Sequence, residues 1–107
     1  MDINKAFGQA LQQARKLRKM SQEDFSAVSS RTYISALERG LKSPTLDKIK
    51  QICSELKLHP LSLLVMTYSQ IDSNHSQKDL LESIIEELRQ IVLNAQKAIV
   101  AQIKANL

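Results

Sequence analysis

The sequence predicts an all-α protein, with a compact five-helix domain over residues 1–68, a hinge over 69–77 and a long amphipathic C-terminal helix over 78–107. Three observations support this fold class. The 107 residues include only two glycines and two prolines, which leaves few of the tight turns that sheets need. Apolar residues recur at steps of three and four, the spacing of one helix face. Serine, aspartate and proline stand where these patterns begin, and a glycine stands where one of them ends.

Positive charge is concentrated in the first part of the chain. The net charge is +4; residues 1–60 hold eleven Lys and Arg against six Asp and Glu, whereas residues 61–107 hold four against five. A basic surplus indicates either an anionic partner such as nucleic acid or a solvated helix face, and charge alone does not separate the two.

Composition also narrows the class of protein. Cys53 is the single cysteine, which excludes an internal disulfide and a cysteine-based zinc site, and its place on an apolar stripe predicts a buried, inert thiol. No apolar run has the length of a membrane span and no signal-peptide pattern is recognisable, so a cytoplasmic protein is expected. Without a phosphate loop, nucleophile elbow or catalytic carboxylate pair, an enzyme is not expected.

The ends of the first three predicted helices are marked by particular residues. The first is capped by Asp2 and ends near Lys19. The second opens at Ser21, because "SQED" places an acid three residues after a serine, as in a capping box. The third spans residues 30–39 and ends at Gly40.

The next two helices begin at proline. Ser43 is expected to cap the fourth, with Pro44 in its first turn. Its inward side chains are expected to be Leu46, Ile49, Ile52, Cys53 and Leu56. His59 is expected to cap the fifth helix, which would bury Leu61, Leu64 and Val65. His59 and His75 lie sixteen positions apart with no acidic or cysteine cluster around them, so no metal and no other cofactor is expected.

The segment after the hinge is predicted to form one long helix, since it contains neither glycine nor proline. Its coiled-coil seam is predicted at Leu81, Ile85, Leu88, Val92, Ala95 and Ile99. Such a stripe is not stable alone in water, so pairing with the same helix of a second chain is expected. Folding back onto the first domain and binding a different protein are the alternatives.

The outward face of the third helix has the residue types that read DNA. The base-reading set is predicted to be Arg31, Thr32, Ser35 and Ala36, because arginine pairs with guanine and threonine can bond to a base or touch a thymine methyl. Phosphate contacts are predicted at Ser21, Gln22, Ser30, Tyr33, Arg39, Lys42 and Ser43. Tyr33 is expected to share this role with packing at the edge of the core.

Three motifs carry a family resemblance. "SQEDF", "RTYISALERG" and "SPTLDKI", in this order, resemble the lambda-repressor/Cro-like helix-turn-helix family, and "RTYIS" with "ERG" is similar to the controller regulators of restriction-modification systems. The resemblance covers residues 3–66. It implies that Gln22 binds a phosphate, that Arg31 and Thr32 read bases, and that Arg15 pairs with Glu38.

The sequence departs from the family at the turn. The stretch between "SQED" and "YIS" is two residues short and lacks the usual glycine, so the second helix is expected to lose about half a turn and the tilt of the third is left open. The expected function is a homodimeric, sequence-specific transcriptional regulator of double-stranded DNA, a repressor that binds a palindromic operator through residues 30–39. The alternative is an antitoxin-like module whose C-terminal helix binds another protein.

Overall fold

A computed structural model describes residues 1–72 and 76–107, and all regular secondary structure in these residues is helical. The chain divides into two units, Met1–Asn74 and His75–Leu107. The first unit contains, in order, α1 (Ile3–Leu17), one turn of 3-10 helix (Gln22–Phe25), α2 (Arg31–Glu38), α3 (Leu46–Leu56) and α4 (Pro60–Ile71). The second contains α5 (Gln77–Ala105). The all-α prediction with a long C-terminal helix is confirmed.

The core of the first unit is built around α1, which packs against both α2 and α4. The core side chains are buried and apolar on every helix, namely Phe7, Ala10, Leu11, Ala14, Phe25, Ile34, Leu37, Ile49, Ile52, Cys53, Leu56 and Leu63. Phe25 comes from the 3-10 turn and is fully buried. Because burial of such a side chain stabilises by about 1.5–3 kcal/mol, this one residue anchors the turn to the core.

Helices α1, α2 and α3 all end in a left-handed residue. Gly40 ends α2 with φ 74°, and the amide of Leu41 donates to the carbonyl of Ala36 at 3.0 Å, a Schellman arrangement. The predicted glycine end of α2 therefore holds. Lysines take this conformation after the other two helices, Lys19 with φ 57° and Lys57 with φ 55°.

The start of α3 and the position of Leu46 differ from expectation. Helix α3 begins after Thr45, whose hydroxyl accepts from the amide of Lys48 at 3.1 Å; the expected cap at Ser43 was wrong. Leu46 is then the first residue of α3 and is 82% exposed, so its predicted inward position was wrong. Helix α4 is capped by His59 as predicted, with its Nδ1 accepting from the amide of Leu61 at 3.0 Å.

The buried face of α4 was misassigned. Leu63 and Thr67 are its buried residues, Leu61 is exposed, and Leu64 and Val65 are half-buried. The buried hydroxyl of Thr67 is hydrogen-bonded, because it donates to the carbonyl of Leu63 at 2.9 Å.

Helical structure extends into both ends of the predicted hinge over 69–77. Helix α4 continues to Ile71, and Ser69 donates to the carbonyl of Val65 at 2.7 Å, so a polar sequence stays helical. At the other end, Gln77 already begins α5. The rest of the predicted hinge includes residues 73–75, which lie outside the described part of the chain. The expectation that His75 binds no metal concerns one of these residues.

Helix α5 has no buried residue along its 29 residues. A capping box starts it: the Ser76 hydroxyl accepts from the amide of Asp79 at 3.1 Å, and the Asp79 carboxylate accepts from the amide of Ser76 at 3.4 Å. All six predicted seam residues are exposed, including Ile85 at 50% and Val92 at 54%. Among residues 1–72 and 76–107, no helix combines the length and apolarity that a membrane crossing requires.

Gly8 sets how closely α1 and α2 approach. A Cβ at this position would collide with the carbonyl oxygen of Leu37 and would lie 2.6 Å from that of Glu38. These oxygens belong to the last turn of α2, so backbone rather than a movable side chain fills the space.

We expect Gly8→Ala to destabilise the first unit by about 1–3 kcal/mol, as overpacking does. The sign of the stability change distinguishes the two cases, since glycine to alanine at an open helix site would stabilise the protein by about 1 kcal/mol. Urea unfolding measures the effect, with the exposed neighbour Gln9→Ala as control. A Gly8→Ala protein as stable as the wild type would contradict the close approach.

Candidate nucleic-acid interface

The predicted contact residues meet in two adjoining polar depressions at the start of α2. One is lined by Gln22, Arg31, Thr32, Ser35 and Arg39. The other is lined by Arg15, Ser21, Gln22, Glu23 and Arg31. Gln22 and Arg31 belong to both, so the 3-10 turn and the first turn of α2 form one continuous surface. Three of the four predicted base-reading residues lie on it.

An ion pair at the edge of this surface joins the end of α1 to the end of α2. Arg15 grips Glu38 with two hydrogen bonds, Nε to Oε2 at 2.7 Å and Nη2 to Oε1 at 2.8 Å. Its third contact, Nη1 to the carbonyl of Met20 at 3.0 Å, closes the end of α1. Hydrogen bonding to Glu38 raises the pKa of Arg15, which keeps the guanidinium charged.

Gln22 is positioned by the same carboxylate. Its Nε2 donates to Glu38 Oε1 at 3.3 Å. The resemblance implied that Gln22 binds a phosphate and that Arg15 forms a structural pair with Glu38. In the structure, Arg15 and Gln22 both donate to the same atom, Oε1 of Glu38. A side-chain amide has a second N–H that this bond leaves available.

Arg31 projects from the N-terminus of α2 and is 67% exposed. Its Nη1 lies 3.6 Å from Oε1 of Glu23, itself 71% exposed. An exposed pair at this distance contributes little, so the guanidinium can leave Glu23 for a stronger partner. Glu23 is a site residue that the sequence reasoning missed, and no spacing rule connects it to Arg31.

The start of α2 is capped from within. The Ser30 hydroxyl accepts from the amide of Tyr33 at 3.1 Å, which makes Ser30 the N-cap of the helix. This use of the hydroxyl as an acceptor leaves its proton free, so the predicted phosphate contact is compatible with the cap.

Tyr33 packs partly against the core and has two cations beside its ring. Lys42 Nζ and Lys48 Nζ each lie 5.6 Å from the ring centroid. This position agrees with the expected packing at the edge of the core. Of the two lysines, only Lys42 was among the phosphate-binding residues predicted from the sequence; the position of Lys48 beside the ring was not predicted.

The joint between the 3-10 turn and α2 needs no glycine. No residue from 26 to 30 has a positive φ. The chain turns on Phe25, whose carbonyl accepts from the amides of Val28 and Ser29, both at 2.9 Å. Lys48 reaches across from α3 and donates to the carbonyl of Val28 at 2.7 Å. A side chain from another helix therefore closes the joint.

Other predicted residues fall outside the two depressions. Ala36 was expected on the outer face but is 7% exposed, because α2 is packed on one side by α1 and its last turns face the core. We therefore remove it from the base-reading set. Ser43 lines a separate, mostly apolar groove with Ile3 and Tyr68. Burial raises the pKa of Cys53 to about 11, consistent with the predicted inert thiol.

A short helix with an exposed N-terminal edge, packed across a preceding helical turn, is the arrangement found in helix-turn-helix DNA-binding proteins. A helix-turn-helix family model matches residues 11–63. Control protein C.BamHI of Bacillus amyloliquefaciens is 41% identical over 69 residues, which cover 62% of this chain and 85% of that protein. The chain belongs to the Cro/C1-type helix-turn-helix family and is homologous to its controller proteins.

Solved structures of two regulators have a similar fold. The restriction-modification controller protein C.AhdI from Aeromonas hydrophila is 29% identical with a TM-score of 0.54, covering 56% of this chain and 94% of that one. The clp gene regulator ClgR from Corynebacterium glutamicum is 20% identical with a TM-score of 0.63, covering 86% of this chain and 92% of that one; this likeness concerns the fold alone. The protein is thus a DNA-binding transcriptional regulator of a non-enzymatic family.

We expect Lys48→Met to weaken DNA binding and to lower stability by about 1–2 kcal/mol, because it removes the donor that closes the joint. The matched control is Lys50→Met, which removes the same charge from an exposed site on α3. Urea unfolding and fluorescence anisotropy with labelled DNA measure the two effects. Equal behaviour of the two variants would show that Lys48 acts only through its charge.

Proposed function

We propose that the protein is a homodimeric, sequence-specific repressor that binds a palindromic operator through α2. The observation that carries this proposal is the convergence of Arg31, Thr32 and Ser35 with Gln22 and Arg39 in one polar depression. A helix with donors at its exposed N-terminal end, flanked by phosphate-binding groups, matches what major-groove reading requires.

The site residues divide into two roles. Arg31 and Thr32 read base edges, with Ser35 at the margin, because they occupy the first exposed turns of α2. Gln22, Arg39 and Lys42 hold the phosphate backbone, together with hydroxyls at Ser21, Ser30 and Tyr33. Ser43 was predicted in this group, but its separate groove gives it the weakest support.

Dimerisation is proposed through α5. Its seam residues are exposed along the whole helix, and an exposed apolar stripe of this length needs a partner. Two heads placed about 34 Å apart on one DNA face convert weak half-site binding into operator recognition. Occupation of the operator then excludes polymerase, which is the basis of the repressor assignment.

The second candidate function is an antitoxin-like or related interaction module. The same exposed stripe favours it, because a different protein could cover α5. Under this reading the full chain alone is a monomer.

We expect Arg31→Ala to lose about 1–3 kcal/mol of affinity for each half-site of the operator and to relax preference at one base pair of each half-site. Lys42→Ala, which removes one exposed cation from each subunit, should weaken all sequences alike and lower the salt slope of the dimer by about two. Anisotropy titrations on an operator selected from random DNA, and on its single-base variants, separate the two. If Arg31→Ala bound with unchanged affinity and selectivity, the groove assignment would be wrong.

We expect the full chain to be a dimer and Val92→Glu to shift it to monomer, because a carboxylate would be buried in the apolar seam. Gln90→Glu is the control, as it adds the same charge to the same helix off the seam. Light scattering across a concentration series gives the mass, and operator titrations should show parallel losses for Val92→Glu only. A monomeric wild type would favour the interaction-module function instead.

A further inference from the structure

The first turn of α1 lies against the loop that follows α2. A Cβ on Gly40 would lie 2.8 Å from Cγ of Lys5 and 3.0 Å from its Cα, so the two segments are in direct contact. Beside this contact, Ile3 and Ser43 line the same groove. The start of α1 and the segment from Arg39 to Ser43 are therefore neighbours, although they are far apart in sequence.

The side chain of Lys5 is exposed and has no charged partner in the described part of the chain. Its base is fixed by the contact with Gly40, and within residues 1–72 and 76–107 it forms no ion pair. Asp2, three residues earlier, is the N-cap of α1 and accepts from the amide of Asn4 at 3.3 Å. The ammonium group of Lys5 is thus available to an anion from outside the protein.

The loop after α2 carries two further cations and free backbone donors. Arg39 and Lys42 are both exposed, and the carboxylate that ends α2 is already paired with Arg15. Among the described residues, no group accepts from the amides of Lys42 and Ser43. Exposed cations together with unbonded amides form a surface that attracts an anion such as a phosphate.

From this juxtaposition we infer that Lys5 binds a phosphate of the DNA backbone together with the loop after α2. The inference rests on the proposed entry of α2 into the major groove, which brings this loop to the backbone. A duplex is the anion that fits, because Arg39 directly precedes Gly40 and lines the polar depression with Thr32 and Ser35. Lys5 is then a DNA contact that lies outside the helix-turn-helix motif.

With Lys5, phosphate contacts lie at both ends of α2. Gln22 stands near the start of the helix, and Lys5 and Lys42 stand at its end. The eight residues of α2 span about 12 Å at 1.5 Å per residue, close to the width of the major groove, which is about 12 Å. Contacts at both ends hold the DNA backbone at two separate points, which fixes the register of α2 in the groove.

We expect Lys5→Met to weaken binding to every DNA sequence alike. Methionine keeps an apolar stem of similar length beside Gly40, so the change removes the charge and little of the packing. Each lost phosphate contact lowers the slope of log K against log salt by about 0.9, which corresponds to roughly fivefold in affinity at about 0.15 M salt. For the proposed dimer the slope falls by about two, because both subunits lose a contact.

Fluorescence anisotropy over a series of salt concentrations measures this slope, on the selected operator and on a scrambled sequence. Lys57→Met is the matched control, since it removes the same charge from an exposed site at the end of α3 that lies away from the loop. Lys5→Arg keeps the charge and should retain the wild-type slope, which separates the role of the charge from that of the packing.

A slope for Lys5→Met equal to that for Lys57→Met would overturn the inference. A loss confined to the operator would do the same, because a phosphate contact carries no sequence information. Arg31→Ala on the same DNA tests the proposed function separately. If Arg31→Ala relaxes specificity and Lys5→Met has no effect, the groove assignment stands without Lys5. If only Lys5→Met has an effect, Lys5 binds DNA and the groove assignment is wrong.

Methylphosphonate substitution tests the contact directly, because it neutralises one phosphate at a time. In each half-site, one substitution should weaken binding of the wild type but not of Lys5→Met, since the contact that it removes is already absent from the variant. Additive losses at every phosphate would overturn the inference, because Lys5 would then act through its general charge and not at a particular phosphate.

Discussion

The proposed DNA-binding surface depends on the bidentate ion pair between Arg15 and Glu38. Through it, the end of α1, the end of α2 and Gln22 on the 3-10 turn share one hydrogen-bonded centre. The two side chains are only 12% and 4% exposed, so water competes weakly and the planar fork sets the geometry. A buried pair of this kind adds little net stability but makes loss of one partner costly, which suits a role in orientation.

Two other contacts complete the orientation of α2. Gly8 lets the backbone of α2 lie directly on α1, so it determines their separation. Lys48 ties the joint to α3, so it determines where α2 begins. Together with the ion pair, they hold the short helix from three directions. The tilt of α2, which the missing turn glycine left open, is thus determined by contacts with residues far from the turn in sequence.

The sequence predicted what local chemistry decides and missed what packing decides. Gly40 ends α2 as expected, because glycine reaches positive φ without strain, but nothing marks Lys57 as the residue that ends α3 the same way. Ala36 was wrongly predicted on the exposed face of α2, because the spacing of apolar residues does not show how wide the buried face of a short helix is. Lys48 contacts the carbonyl of Val28 twenty residues away, beyond any helical spacing rule.

The proposed homodimer links assembly to DNA binding. Each head offers few cations, chiefly Arg31, Arg39 and Lys42, and Glu23 stands beside the first of them, so one head alone binds weakly. By linkage, any factor by which pairing through α5 strengthens operator binding is the factor by which operator DNA strengthens pairing. A seam of moderate strength is then sufficient, and operator occupancy at low protein concentration rises roughly with the square of monomer concentration. Regulation would be steep without any ligand, because the response comes from assembly itself.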